Sequence, residues 1–241
     1  MCDPLAAGRN YEPEYEELEL SPVRKAIADR VVGSHTEVPV FHMHAEVDAE
    51  AIVALRGRLK IEWETPPSVN DVILKCCAAV LPQYAVVNAG FVEGKIRLYK
   101  EVNVGFAVAT ERGVLVPVVR ATDKKSLLEV SEETRELVAL ARAGRLRASL
   151  QQGGTFSVSN IGPGRVSAFN AIIGQPQTAI LAIGALAPRP FVVDGELAVR
   201  NTMALTLTVD HRAIDGADGA QFLNALVEQL ENPEPACGLD G

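Results

Sequence analysis

The chain has 241 residues, 31 acidic and 23 basic, for a formal net charge of −8; hydrophobic residues make up 48% and charged residues 22%. That balance belongs to a soluble globular chain, long enough for one large domain or two small ones, and excludes a mainly disordered one. The negative charge argues against non-specific binding to nucleic acid, where Lys and Arg must displace counterions, and no apolar run approaches the ~20 residues that cross a bilayer.

Residues 1–20 are rich in Glu, Pro and Tyr and read as an arm ahead of one domain over 21–241. The arm lacks the basic-then-apolar layout of a secretory signal, so the expectation is a soluble intracellular protein. Next, SPVRKAIADRVVGSHTE places Val23, Ile27, Val31 and Val32 at helical spacing, with Ser21 as cap and Pro22 as first helical residue. VPVFHMHAEVD alternates as a strand does, and DAEAIVALRGRL returns to helix. Ser68 with Asp71 three residues on predicts a capping box opening a helix to about Leu81. From Lys95 to Val119 the pattern is mostly strand, with ERG as a turn. SLLEVSEETRELVALARAGRL predicts a long amphipathic helix ended by Gly144. TFSVSNIG, TAILAIGA, PFVVDGELAV and NTMALTLTVDH then read as strands, and a last helix runs from about Asp218 to Glu231. This interleaving predicts one α/β domain with a mixed β-sheet core and flanking helices.

Two stretches could carry chemistry. In TLTVDHRAIDGADG a strand delivers His211 at its end, where an imidazole is well suited to moving protons near neutral pH. The structural alternative is a histidine satisfied by backbone, with Asp215 capping the following helix. A metal reading of Asp210, His211 and Asp215 lacks a further ligand cluster. In TFSVSNIGPG, Ser159 could donate its hydroxyl to a developing negative charge. Alternatively, Ser157, Ser159 and Asn160 merely satisfy a turn. No GxSxG elbow surrounds the serine, so it does not read as a nucleophile. His42 and His44 point to the same side of a strand, as interface residues or as a metal pair. Cys2, Cys76, Cys77 and Cys237 form no CxxC pair and read as small buried hydrophobes of a reducing compartment.

GGTFSVSNIG, PQTAILAIG and DHRAIDG, in this order, resemble the catalytic domain of the dihydrolipoamide acyltransferases of 2-oxo acid dehydrogenase complexes, which are related in fold to chloramphenicol acetyltransferase. The resemblance extends through RKAIADRV, HAEVDAEAIVALR and NVGFAVATERGVLVPVV and covers about residues 20–233. It implies a coenzyme A-dependent acyltransferase that works as a homotrimer in the cytoplasm, or in the mitochondrial matrix of a eukaryote. Its active site would be a channel between neighbouring subunits, entered by CoA from one end and dihydrolipoyl-lysine from the other. The lipoyl group would come from another chain or domain, and the partners would be lipoyl domains and 2-oxo acid dehydrogenase components.

By that resemblance His211 is the general base and Ser159, from the next subunit, stabilises the oxyanion. Asp215 organises the histidine loop through Arg24, with Arg30 as the alternative. Arg56 and Ser68 meet the nucleotide end of CoA, while Asn160, Gly184 and Leu186 line the pantetheine path. No metal is implied. FNAIIGQPQTAIL leans toward acetyl or succinyl transfer. A CoA-dependent transferase with a small-molecule acceptor and a non-catalytic trimeric scaffold are the alternatives. The stretch carries no lipoyl or subunit-binding domain, and Pro39-Val40 stands where the family has Pro-His. ENPEPACGLDG lacks the apolar hook that docks trimers into cages, which predicts an isolated trimer.

Overall fold

The structure, a computed structural model, describes residues 13–111 and 113–239; Cys2 lies outside them. In chain order the elements are α1 (Pro22–Glu37), β1 (Val40–Asp48), α2 (Glu50–Glu62), α3 (Val69–Val80), β2 (Ala89–Val92), β3 (Lys95–Leu98), β4 (Val104–Phe106), β5 (Val108–Thr110), β6 (Gly113–Leu115) and β7 (Val118–Val119). After them come α4 (Leu127–Arg142), β8 (Phe156–Asn160), β9 (Ala179–Ile183), β10 (Ala187–Val193), β11 (Glu196–Asp210), α5 (Gly216–Glu231) and α6 (Glu234–Cys237).

The helix starts follow from their caps. The Ser21 hydroxyl accepts from the Arg24 backbone N–H, and Pro22 fills the first helical turn. Ser68 and Asp71 form the expected reciprocal capping box on α3. Ser126 and Glu129 form a second one on α4, which the sequence reading did not single out. Gly144, at φ +67°, carries the left-handed backbone that ends α4. In the β10–β11 hairpin the turn residues Asp194 and Gly195 both take positive φ, as a two-residue hairpin loop requires.

Seven strands form one mixed sheet in the order β1-β11-β9-β8-β4-β7, with β10 pairing the first half of β11. Strands β4, β8 and β9 run parallel, whereas β1 and β9 flank β11 antiparallel. The region read as mostly strand between Lys95 and Val119 is instead broken into short pieces, and two hairpins, β2–β3 and β5–β6, stand apart from the main sheet. The free edge of β10 holds Pro188 and Pro190, which have no N–H to offer another strand.

The two sheet faces differ sharply. Val158, Leu181, Leu205, Leu207 and Val209 share one face and join residues from α2 to α6 in a single core. On the other face the register brings Ser157 and Ser159 beside Ile180 and Ala182, then Thr208 and Thr206, then His42 and His44. Only the small cluster of Val38, Ala171, Ile173, Ile180 and Ala182 covers part of it. Helix α1 does not join the main core, and its Val31 and Val32 stay exposed despite their helical spacing. Ser157, Thr206 and Thr208 on this polar face are buried within the chain, Ser159 and His42 are half-buried, and His44 is exposed; the face borders the site described next.

Candidate active site

His211 is the first residue after β11. Its backbone N–H donates to the Pro39 carbonyl (2.9 Å), and its ring lies 5.4 Å from the ring of Phe41. The side chain is exposed, yet the turn beneath it is pinned from several directions. The Asp210 carbonyl accepts from both Ala213 and Ile214, and Ile214 is buried in the core. The Asp210 carboxylate, only 1% exposed, receives the Arg212 guanidinium at 2.7 and 2.9 Å and the Arg212 backbone N–H at 3.0 Å. Arg212 also stacks over the Phe91 ring at 4.1 Å. Hydrogen bonding to Asp210 is the main cause holding the guanidinium above its ordinary pKa. The residues on either side of His211 therefore clamp its backbone. The sequence reading considers Asp210 as a metal ligand and does not single out Arg212, although DHR places the two residues either side of His211.

Asp215 caps α5, accepting at 2.9 Å from both the Ala217 and Asp218 backbone N–H groups. Among the described residues it makes no ion pair with Arg24 or Arg30. Arg30 instead donates to the Gln175 carbonyl (3.3 Å), tying α1 to the segment before β9. The Arg–Asp link implied by the resemblance is not seen within this chain, where Asp215 caps α5 through one carboxylate oxygen, Oδ1. His42 and His44 are each held by a threonine, Nδ1 to Thr208 Oγ1 at 3.0 Å and to Thr206 Oγ1 at 2.9 Å. Burial and the neighbouring His44 push His42 below the usual histidine pKa.

Ser159 sits half-buried on the polar sheet face, opposite Ala182. His211 leaves the sheet near Thr178, whose carbonyl accepts from Asp210 N–H. Four residues along the strand and two strand spacings across give a separation of roughly 16 Å within one chain.

A cleft of about 770 Å³ opens at the carboxyl ends of the parallel strands, bounded by Phe106 and Ala107 at the end of β4, Asn160 and Ile161 at the end of β8, and Ile183 and Gly184 at the end of β9. The carboxyl ends of parallel strands are where open α/β sheets place their ligands. Four of the five residues predicted to meet CoA line this space: Ser68, Asn160, Gly184 and Leu186. Arg56 does not line it. Its Nε donates to the Pro67 carbonyl (2.9 Å) and so braces the Pro66 rim. Gly184 has a steric reason to be glycine, because a Cβ there would overlap the Ser167 carbonyl. Gly184→Ala should lower stability by about 1–3 kcal/mol, read as a drop in thermal midpoint.

A model of the 2-oxoacid dehydrogenases acyltransferase (catalytic domain) family matches residues 12–237. The chain belongs to this acyltransferase family. Among curated relatives, the dihydrolipoyllysine-residue acetyltransferase component of the pyruvate dehydrogenase complex of Zymomonas mobilis is 35% identical over 237 residues, 97% of this chain and 54% of that protein. The corresponding Staphylococcus aureus component is 37% identical over 92% of this chain and 53% of its own length. The chain thus spans about half the length of the curated relatives it matches. Among solved structures, a probable dihydrolipoamide acetyltransferase from Listeria monocytogenes superposes with a TM-score of 0.86 at 32% identity, covering 91% of this chain and 95% of that one. The Azotobacter vinelandii dihydrolipoamide acetyltransferase superposes with a TM-score of 0.87 at 32% identity, covering 92% and 94%. In that protein a serine, a histidine 52 residues later and an asparagine four residues beyond it have been investigated for their role in the catalytic mechanism. Chloramphenicol acetyltransferase, at 15% identity and a TM-score of 0.53, shares the fold, as the sequence implied.

Proposed function

We propose that this acyltransferase domain moves an acetyl group between dihydrolipoyl and CoA thiols, at a site that His211 of one subunit and Ser159 of the next complete together. The observation that carries this reading is a spacing. Ser159, His211 and Asp215 stand 52 and four residues apart, the separations of the serine, histidine and asparagine of the Azotobacter enzyme. Here the third residue is Asp215, whose cap on α5 fixes the far end of the histidine turn. The separation of roughly 16 Å within one chain supports a site shared with a second copy.

An ordinary thiol, with a pKa near ~8.5, is mostly protonated at neutral pH. His211 takes the CoA thiol proton, and the thiolate attacks the thioester carbonyl carbon of acetyl-dihydrolipoyl. The carbonyl oxygen becomes an oxyanion and accepts a hydrogen bond from the Ser159 hydroxyl. Collapse re-forms the carbonyl and breaks the bond to the dihydrolipoyl sulfur, which leaves with the proton held by His211. Acetyl-CoA results. Both ends are thioesters, so the reaction runs either way. CoA lies in the cleft beside Asn160, Gly184 and Leu186, and the dihydrolipoyl arm arrives on a lipoyl domain.

Complementation tests this arrangement. Ser159→Ala should lower kcat for acetyl transfer from acetyl-CoA to dihydrolipoamide by about 10²–10³, and His211→Ala should also be nearly inactive. Chains of the two kinds co-assembled in one trimer should regain activity, because one interface in about three then joins an intact histidine to an intact serine. Mixed oligomers, verified by two affinity tags, that stay inactive would refute a shared site. Assembly into trimers is also expected, since each site needs a neighbouring subunit. Light scattering at a mass that is a multiple of three chains supports this, and the mass of one or two chains rejects it.

A further inference from the structure

Two histidines outside the acetyl-transfer site share one face of β1. His42 and His44 occupy alternate positions, about 6.7 Å apart along the strand, and so point the same way. The register sets Thr208 opposite His42 and Thr206 opposite His44. Each imidazole engages its facing threonine through Nδ1, at 3.0 Å to Thr208 Oγ1 and 2.9 Å to Thr206 Oγ1. Both threonines are buried, so each ring is anchored to a fixed point of the sheet. Among the described residues neither Nε2 has a hydrogen-bond partner. His44 is exposed and His42 half-buried, which leaves the pair open to solvent. Glu46, the next residue on the same face, is exposed and makes no ion pair among the described residues, so it adds a negative charge beside them. Ser159 lies three strands away, across β9 and β11.

We propose that His42 and His44 bind one divalent transition-metal ion through their Nε2 atoms, with water filling its remaining positions. Nε2 offers its lone pair when Nδ1 carries the ring proton, and the threonine oxygen facing Nδ1 accepts a hydrogen bond from that N–H. Metal-bound histidines are commonly held in this way, one nitrogen on the ion and the other on a group that fixes the ring. Imidazole nitrogen suits zinc, nickel and copper, whereas magnesium and calcium take oxygen ligands. Among the described residues no group of three His, Cys, Asp or Glu side chains comes together to hold an ion. The protein therefore supplies two ligands, which makes an open site rather than a closed structural one.

Calorimetric titration of the assembled protein with Zn²⁺ tests the site, with Ni²⁺ and Mg²⁺ for comparison. The wild type should bind one Zn²⁺ per chain, bind Ni²⁺ as well, and leave Mg²⁺ free. H42A and H44A should each lower the Zn²⁺ affinity by about tenfold or more. H35A, which removes an exposed histidine on α1, should leave it unchanged. T206V and T208V keep both imidazoles and the shape of the threonines but remove the anchoring oxygens, and each should cost about 10–100-fold. A thermal melt without metal checks the fold of every variant; H44A removes an exposed ring and should melt with the wild type, so it decides the matter if H42A unfolds. A wild type that binds no Zn²⁺, or an affinity that survives H44A, would overturn the site. Unchanged affinity in both T206V and T208V would overturn the anchoring of the rings.

Discussion

His211→Ala is expected to lower kcat for acetyl transfer by about 10²–10⁴, the usual contribution of a positioned acid–base group. CoA binding should be unaffected, because the cleft is lined by residues of α3, α4 and the carboxyl ends of β4, β8 and β9, and His211 is not among them. The imidazole is exposed in the single chain, so its removal costs no buried contact and the fold should melt at an unchanged temperature. Steady-state kinetics with varied CoA, beside a thermal melt, gives both readings. Activity within a few-fold of wild type would remove the histidine from the mechanism.

Arg212→Ala is the largest stability effect expected. It strips the guanidinium from an Asp210 carboxylate that is 1% exposed, leaving that charge with the residue 212 backbone N–H as its remaining donor at this turn. Removing one partner of a buried pair costs about 3–5 kcal/mol. Arg212 is itself a third exposed, which places the loss near the lower figure, about 3 kcal/mol. The stacking contact with Phe91 goes with it. Because the pair clamps the residues on both sides of His211, kcat should fall as well, while the KM for CoA stays near wild type. Arg212→Lys keeps the charge but loses the two-pronged geometry, and should fall between. A wild-type melting temperature in Arg212→Ala would show that the pair stabilises nothing.

Local signals carried furthest where the chemistry is local. Ser21, Ser68 and Asp71 announced their helix starts because a cap is settled within four residues. His211 at a strand end and Asp215 before a helix were legible for the same reason, and the structure places Asp215 as a cap. The cleft residues Ser68, Asn160, Gly184 and Leu186 came from family resemblance and are far apart in sequence, yet the sheet gathers them. What misled was α1. Its Val31 and Val32 satisfy helical spacing but face away from the core of the single chain, since periodicity reports that a face is apolar and not what covers it. Arg24 and Asp215, paired by the resemblance, do not meet within the chain, where Asp215 caps α5 through Oδ1.

The amino-acid sequence by itself determined the helix caps, the alternation of the strands, the mixed α/β class and the family. It also named the histidine and serine, because those features depend on neighbours a few positions away or on motifs in fixed order. Only the tertiary structure decided that Asp210 and Arg212 clamp the histidine turn and that Arg56 braces a rim. It also set Ser159 and the end of β11 four residues and two strands apart on the sheet. Side-chain direction settles the near pairs, Asp210 with Arg212 and Arg56 with Pro67, and strand register and helix packing set the distant relations, where no local pattern reaches.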